Sequence, residues 1–387
     1  MAGVLIHDGR RIGHRSWTVS AVDQGFAAGA VLTPFATPRI SQPRHPNARE
    51  VADDVRSVGG EVLFDVMTHA RQLPTTNKTD FYDEWELWGG SGRGLATPAM
   101  RLEHVERAFG YQGSLGVPLL TPTLALTSPT SPEANHVLET ASLARGLDAG
   151  AWQSLAGTHS FWASGPELDA FVGTLAGLRA PAWVLTLTNL VVADGVPDFG
   201  NTEAHLGFVR TVHSLSLRSR VVIAHADYMG LPAVAAGADT VGSGWDRGQR
   251  FFDPLSFRFD SNPGPRIPAS YVTQGGLHAV LRRDAAEAIE RWNPARAHAI
   301  RGGAMPASDN VERMHHLDQL NNVVRDVSAI ADRSSRVAEM RRRYATAASD
   351  FDDIMQNVPG VVRQNDKRAW CEDPDALVET YATAEGL

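Results

Sequence analysis

Val221-Val222-Ile223-Ala224-His225-Ala226-Asp227, continued by Gly230-Leu231-Pro232-Ala233-Val234-Ala235-Ala236-Gly237-Ala238-Asp239-Thr240-Val241-Gly242-Ser243-Gly244, is the stretch that decides the fold. Two apolar runs frame an alanine-rich segment and a Gly-Ala-Asp turn, so it reads strand, short helix, turn, strand. Strands joined through a helix run parallel, and the last two units of many eight-fold barrels are written this way.

The same punctuation recurs upstream. Short apolar runs at residues 4–7 or 17–20 (counted together as one strand), 30–35, 62–65, 117–124, 152–157, 183–187, 221–225 and 240–244 lead into helix-like stretches. Residues 48–58 and 166–178 space their apolar side chains by three and four, and Gly165-Pro166-Glu167-Leu168 carries the proline and acid of a helix start. The expected fold class is α/β: a (β/α)8 TIM barrel over residues 1–250, with an irregular segment and a C-terminal helical region over 251–387 packed on it. Residues 75–94, polar, aromatic and glycine-rich, are expected to form a long loop over the mouth. Residues 251–268 read as irregular, and 278–292 and 311–340 as helical. Arg341-Arg342-Arg343 falls near the middle of a further helix ending at about Met355.

Composition narrows the function classes. A chain of 387 residues that is 43% hydrophobic and 21% charged can bury a large core and is not disordered by default. Met1-Ala2-Gly3-Val4-Leu5-Ile6-His7-Asp8 turns polar after a short apolar run, and no later run approaches 18 apolar residues, so neither export nor membrane insertion is expected. The single Cys371 makes no internal disulfide and no four-ligand zinc site, which points to a reducing cytoplasm. A net charge of −8 excludes a generally basic nucleic-acid-coating protein but not a local basic patch.

In a parallel barrel the chemistry sits where the strands end. Asp65 closes Glu61-Val62-Leu63-Phe64-Asp65 and is a candidate general base or substrate ligand, with His69 just beyond; capping the next segment is its alternative role. His225 and Asp227 close the seventh run, where strand alternation puts them on one face. His159 follows the fifth run, and Trp245, Asp246 and Arg247 follow the eighth, placed to bind an anionic or sugar-bearing substrate. Gly242, Ser243 and Gly244 either present backbone N–H groups to an anion such as phosphate or admit bulky neighbours. Trp85, Trp88, Trp162 and Trp245 either stack on a base or sugar or fill the core. A metal set of His69, His159, His225 and Asp227 lacks any His-x-His or His-Glu-x-x-His spacing, so no metal and no cofactor is expected. Arg336, Arg341, Arg342 and Arg343 form a basic cluster that either meets tRNA or DNA phosphate or is a solvated face. The apolar face over residues 323–330 suits either a homodimer or packing on the barrel.

In order, these pieces resemble the tRNA-guanine transglycosylase superfamily, which includes DNA-modifying 7-deazaguanine transglycosylases, across roughly residues 28–350. Val62-Leu63-Phe64-Asp65 resembles its third strand, ending in an aspartate of base recognition and proton transfer. Leu95-Ala96-Thr97-Pro98 resembles its Leu-Thr-Pro segment. Leu231-Pro232-Ala233-Val234-Ala235-Ala236-Gly237-Ala238-Asp239 resembles the helix and turn before strand eight, and His316-Leu317-Asp318-Gln319-Leu320-Asn321 its His-Asn-Leu helix. The resemblance implies a glycosyltransferase acting on an N-glycosidic bond or nucleobase, with Asp65 in proton transfer. The family's nucleophilic aspartate is replaced by Gly242, its Asp-Ser-Gly-Gly-Phe string by Asp65-Val66-Met67-Thr68-His69, and its zinc cysteines are missing. Asp246 or Asp227 is then the carboxylate expected near the anomeric carbon, since glycosidic chemistry calls for two carboxylates across the mouth. Two other readings stand beside this one: a phosphate- or flavin-binding barrel gripping its ligand at Gly242-Ser243-Gly244, and a barrel without catalysis that serves in binding or assembly.

Overall fold

The computed structural model describes residues 2–73, 80–189, 196–254 and 270–387. Eight strands, β1 (Gly3–His7), β2 (Gly29–Leu32), β3 (Glu61–Phe64), β4 (Ala125–Leu126), β5 (Gln153–Thr158), β6 (Ala182–Thr188), β7 (Arg220–Ala224) and β8 (Thr240–Gly244), form one parallel sheet in the order β3-β2-β1-β8-β7-β6-β5-β4. Between them run α1 (His14–Asp23), α2 (Ala48–Ser57), α3 (Pro98–Leu115), α4 (Pro132–Leu147), α5 (Pro166–Ala176), α6 (Thr202–Ser216) and α7 (Leu231–Ala235). The fold is thus α/β with a half-barrel sheet in which the first strand pairs with the last.

Local chemistry sets these boundaries. Asn47 and Glu50 exchange side-chain-to-backbone bonds of 3.0 Å at the start of α2. Thr97 accepts from the Met100 N–H, Pro98 follows it, and Gly116 at φ 67° ends α3. Residues 17–20 belong to α1 and are not an alternative first strand; Thr18, Ala21 and Val22 of that helix are buried.

The fourth expected strand is the one that departs most from its reading. Pro118 and Pro122 interrupt residues 117–124 and remove two N–H donors, so pairing is confined to an isolated Leu120–Trp152 bridge and the two-residue β4. Among the described residues no ladder joins β3 to β4. Instead the buried side chain of Gln112 on α3 spans the junction. Its Nε2 donates to Phe64 O and Leu120 O, both at 3.0 Å, and its Oε1 accepts from Leu120 N at 3.0 Å. One amide side chain thus supplies what a run of backbone pairs supplies elsewhere.

Leu5, Val31, Leu63, Leu120, Val184 and Val222 pack on the inner face, while Val4, Ile6, Val62 and Phe64 face the surrounding helices. Burial on both faces is why the strands read as continuous apolar runs. After β8 come a hairpin, β9 (Tyr271–Gln274) and β10 (Ala279–Arg282), and helices α8 (Arg283–Trp292), α9 (Pro294–Arg301), α10 (Asp309–Ser328), α11 (Arg333–Asn357) and α12 (Asp373–Glu385). The stretch 278–292 therefore starts as strand, and 311–340 is two helices. The break holds because Asp332 caps α11 through the Ser335 N–H and Arg336 reaches back to the carbonyls of Ser328 and Ile330.

Asn321 fixes α10 to the sheet, accepting from Val4 N and donating to Gly25 O, each at 2.9 Å. Val323, Val324 and Val327 are buried in the same core as β1 and α7, so that apolar face is covered within the chain and does not supply the expected dimer surface. Of the expected long loop, 74–79 lie outside the described residues; beyond them Asp80–Glu84 is helical and Trp85 and Leu87 are buried. Of the expected irregular segment, 255–269 lie outside them too. No described helix is long and apolar enough to cross a membrane.

Candidate functional site

The inner face turns polar where the strands end. His7 closes β1 pointing inward, Asp65 follows β3 on the same side as Leu63, and His225 follows β7. The rings of His7 and His225 stack at 3.5 Å and 14°, and His7 Nε2 accepts from the His225 backbone N–H at 3.0 Å. His7 Nε2 is therefore unprotonated and the ring's proton is on Nδ1, an atom with no protein partner among the described residues. His225 donates from Nδ1 to Gln249 O at 2.8 Å, which leaves its Nε2 as the acceptor. His69 is buried, and among the described residues neither of its ring nitrogens has a hydrogen-bond partner.

Electrostatics keeps the three imidazoles of this layer neutral. Burial lowers His69 and His225 to about 4 and takes His7 well below its ordinary value, helped by the neighbouring imidazoles. Burial raises the Asp65 carboxyl, against the 2.7 Å bond that its Oδ1 accepts from Met67 N. That bond also holds Met67 at φ 46°, a left-handed conformation costly for a side chain of its kind. Above His7 and His225 opens a cavity of about 250 Å³ whose lining also includes Asp8, Phe35, Gln249 and Phe252 but neither Asp65 nor His69.

Gly242 lies under the imidazole pair. A Cβ there would stand 2.3 Å from His7 Nε2 and 2.8 Å from His225 N, inside the hydrogen bond that joins them. The missing carboxylate at this position thus has a physical reason: the space is filled by His7. A Cβ on Gly244 would meet Gln249 Cβ at 2.4 Å. Both glycines and Ser243 are strand residues in register with Leu5, Ile6 and His7, not a turn of successive N–H groups, so the expected anion cradle is absent from this segment.

Asp65, Asp227 and Asp246 occupy three different surroundings and do not form the expected pair. His225 and Asp227 both have φ 49°, so strand alternation ends at Ala224 and the two side chains part. Asp227 turns behind β8, where its Oδ2 accepts from Ser243 Oγ (2.7 Å) and His316 Nε2 (2.8 Å) with Arg250 at 3.5 Å. Burial alone would raise this carboxyl; His316, Arg250 and Ser243 outweigh it and hold it well below the carboxylate range. His316 continues to Thr273 Oγ1 (2.9 Å), which donates to Glu312 (2.6 Å). The network ties the β7 turn to β9 and α10, and that is the role of Asp227.

Asp246 pairs with Arg11 at 3.0 Å and Arg313 at 3.4 Å and lines a separate cavity of about 300 Å³ with Arg250 and Glu312. Trp245 is buried and donates to Thr18 Oγ1; Trp85 and Trp162 are buried with their N–H groups on Thr37 O and Gly157 O. These three indoles are core, not stacking platforms, while Trp88 stacks on His104 at 3.8 Å. His159 starts a short turn after β5 and packs edge-on against His205 at 5.5 Å, away from the lining of the mouth cavity. Arg247 opens the turn after β8, and its side chain lies outside the described residues.

Among the described residues no three His, Cys, Asp or Glu side chains are grouped to hold a metal ion, the set of His69, His159, His225 and Asp227 included. Arg341 pairs with Asp375 and Glu379, Arg342 with Glu339, Arg343 with Asp326 and Glu339, and Arg336 with the carbonyls already named. A nucleic acid meeting this cluster would have to compete with those partners.

Sequence reasoning missed His7, Asp8 and Gln249. The first two carried the same signal as Asp65, a polar pair ending an apolar run; Gln249 carried none. The Asp8 Oδ2 accepts from Thr33 N at 3.1 Å and from Thr37 Oγ1, its buried Oδ1 has no protein partner among the described residues, and burial pushes the carboxyl up to about 7.

No family model and no curated protein matches the chain. It is similar to a solved structure, a probable tagatose 6 phosphate kinase from Sinorhizobium meliloti 1021, with 14% identity over 99% of this chain and 98% of that one and a TM-score of 0.32. Likeness at that level carries no argument, and function rests on the site.

Proposed function

We propose that the chain is an acid–base enzyme acting on a nucleobase or its N-glycosidic bond at the C-terminal mouth of the sheet, as the resemblance to the transglycosylases implies. The observation that carries this reading is the layer of neutral imidazoles His7, His69 and His225 beside Asp65, in which, among the described residues, His7 Nδ1 and both His69 nitrogens lack partners. Buried polar atoms are nearly always paired, so such a group beneath a cavity suits a ligand that both donates and accepts hydrogen bonds. A nucleobase edge does both. Burial shifts the Asp65 carboxyl toward its protonated form, and giving a proton to a ring nitrogen is the part assigned to it. The 250 Å³ cavity lies below the roughly 300–1,000 Å³ of sites for drug-sized ligands, which favours a single base or sugar over a flavin.

The test is a thermal-shift and NMR titration with guanine, adenine and 7-deazaguanine. One or more of these should raise the melting temperature and move the His7 and His69 ring signals, and Asp65→Asn should abolish both effects while keeping the native fold. No response from any base would overturn the reading.

A further inference from the structure

We propose that the reaction is hydrolysis, with Asp8 as the general base for the attacking water; this rests on the function proposed above. In base exchange through a covalent intermediate a carboxylate attacks the anomeric carbon and keeps it. Here the position that would attack is Gly242, and His7 fills the space a side chain would need. Asp227 and Asp246 are committed to His316 and to Arg11 and Arg313. Among the described residues two carboxyls line the mouth cavity, Asp8 and Asp253, and Asp8 is the one with a buried oxygen that has no protein partner.

Asp8 stands between two compartments. It lines the mouth cavity, and it also lines a smaller pocket of about 60 Å³ of mixed character, with Arg11, His14 and Thr37 beside Leu32 and Val51. That volume admits water and little else, since one water needs about 10–15 Å³ of such space. Among the described residues, Asp8 Oδ1 has no protein partner and neither ring nitrogen of His14, a side chain more than nine-tenths buried, makes a hydrogen bond, so these atoms call for water. His14 Nε2 comes no closer than 3.8 Å to Asp246 Oδ2. A buried carboxylate oxygen facing water-sized space is the arrangement a water-activating base requires.

Asp8 follows β1 and Asp65 follows β3, and Thr33, just after the intervening β2, donates its N–H to Asp8. The step balances as follows. The water oxygen bonds to the anomeric carbon as the C–N bond breaks, Asp8 takes the water proton, and Asp65 gives its proton to the departing nitrogen. The products are free base and the reducing sugar.

The experiment incubates the full chain with guanosine, adenosine and 7-deazaguanosine in H2¹⁸O, and follows base release by chromatography and label in the sugar by mass spectrometry. The expected result is free base with one ¹⁸O at the anomeric carbon, and at least a hundredfold loss in Asp8→Asn. Thermal melting checks that Asp8→Asn is folded; if it is not, the label in the wild-type product still decides. Asp65-dependent base binding with no release, or with exchange of radiolabelled base into the nucleoside, overturns hydrolysis and leaves the proposed site standing. Absence of both binding and release removes both.

Discussion

Replacing Gly242 with alanine tests the account of the mouth at its narrowest point. Gly242 has no positive φ, so its backbone accepts alanine, and the loss of chain entropy in the unfolded state would by itself stabilise the variant by about 0.4–1 kcal/mol. The sign is decided by space. The new methyl falls 2.3 Å from His7 Nε2 and 2.8 Å from His225 N, so the imidazole must leave its place. Leaving the buried His225 N–H unpaired costs about 1–3 kcal/mol, and forcing an extra carbon into a packed region costs about 1–3 kcal/mol. The net expectation is a destabilisation of roughly 1–5 kcal/mol, read from urea unfolding at 25 °C. Long-range proton–nitrogen NMR should meanwhile show the His7 ring losing its bare-Nε2, protonated-Nδ1 pattern. A variant as stable as the parent, or more so, with an unchanged His7 spectrum would refute the reasoning. So would a Gly242→Asp variant that folds with parental stability, because the carboxylate would then have room.

Gln112→Leu keeps the volume but strips Leu120 N of its acceptor and Phe64 O of a donor, and should cost about 2–4 kcal/mol in the same urea assay; a loss below about 0.5 kcal/mol would show that the junction has other support. Asp8 supplies a pH test with a definite sign. Its folded value, about 7, lies above the ordinary 3.8, so the native state resists ionisation. Its contribution is fully present below pH 4 and is lost as pH rises to 7, at about 1.4 kcal/mol per pH unit. Asp8→Asn should therefore gain stability relative to the parent between pH 4 and 7, and parallel stability curves over that range would contradict the buried carboxyl.

The sheet was largely legible in the sequence because burial on both faces writes each strand as an apolar run, and the Gly-Ala-Asp turn before Thr240 marks the last crossover. β4 was obscured by its own prolines, and residues 279–282 by a short apolar run that suits strand and helix equally. Side-chain direction at the strand ends was much less legible. Asp65 is inside, as strand alternation implies. Asp227 left that rule at the paired left-handed residues 225 and 227, which no composition or period marks. Trp245 and Asp246 were read as lining the mouth because they follow β8, whereas the turn carries them outward to Thr18 and Arg11. What Gly242 does could be learned only from a partner more than 200 residues away.

The Gln112 clasp also gives the sheet an order of yielding. Every other junction is a ladder whose bonds must break together, while Phe64 of β3 and Leu120, ahead of β4, are hydrogen-bonded through one side chain rooted in α3. A hinge-like departure of α3 would release both strands without disturbing the other seven junctions. Amide exchange should record this as a subglobal opening that exposes Leu120 before Leu5 or Val222. It also places the chain's point of entry for a protease, or for an engineered pair of new termini, on the same side of the molecule as Asp65.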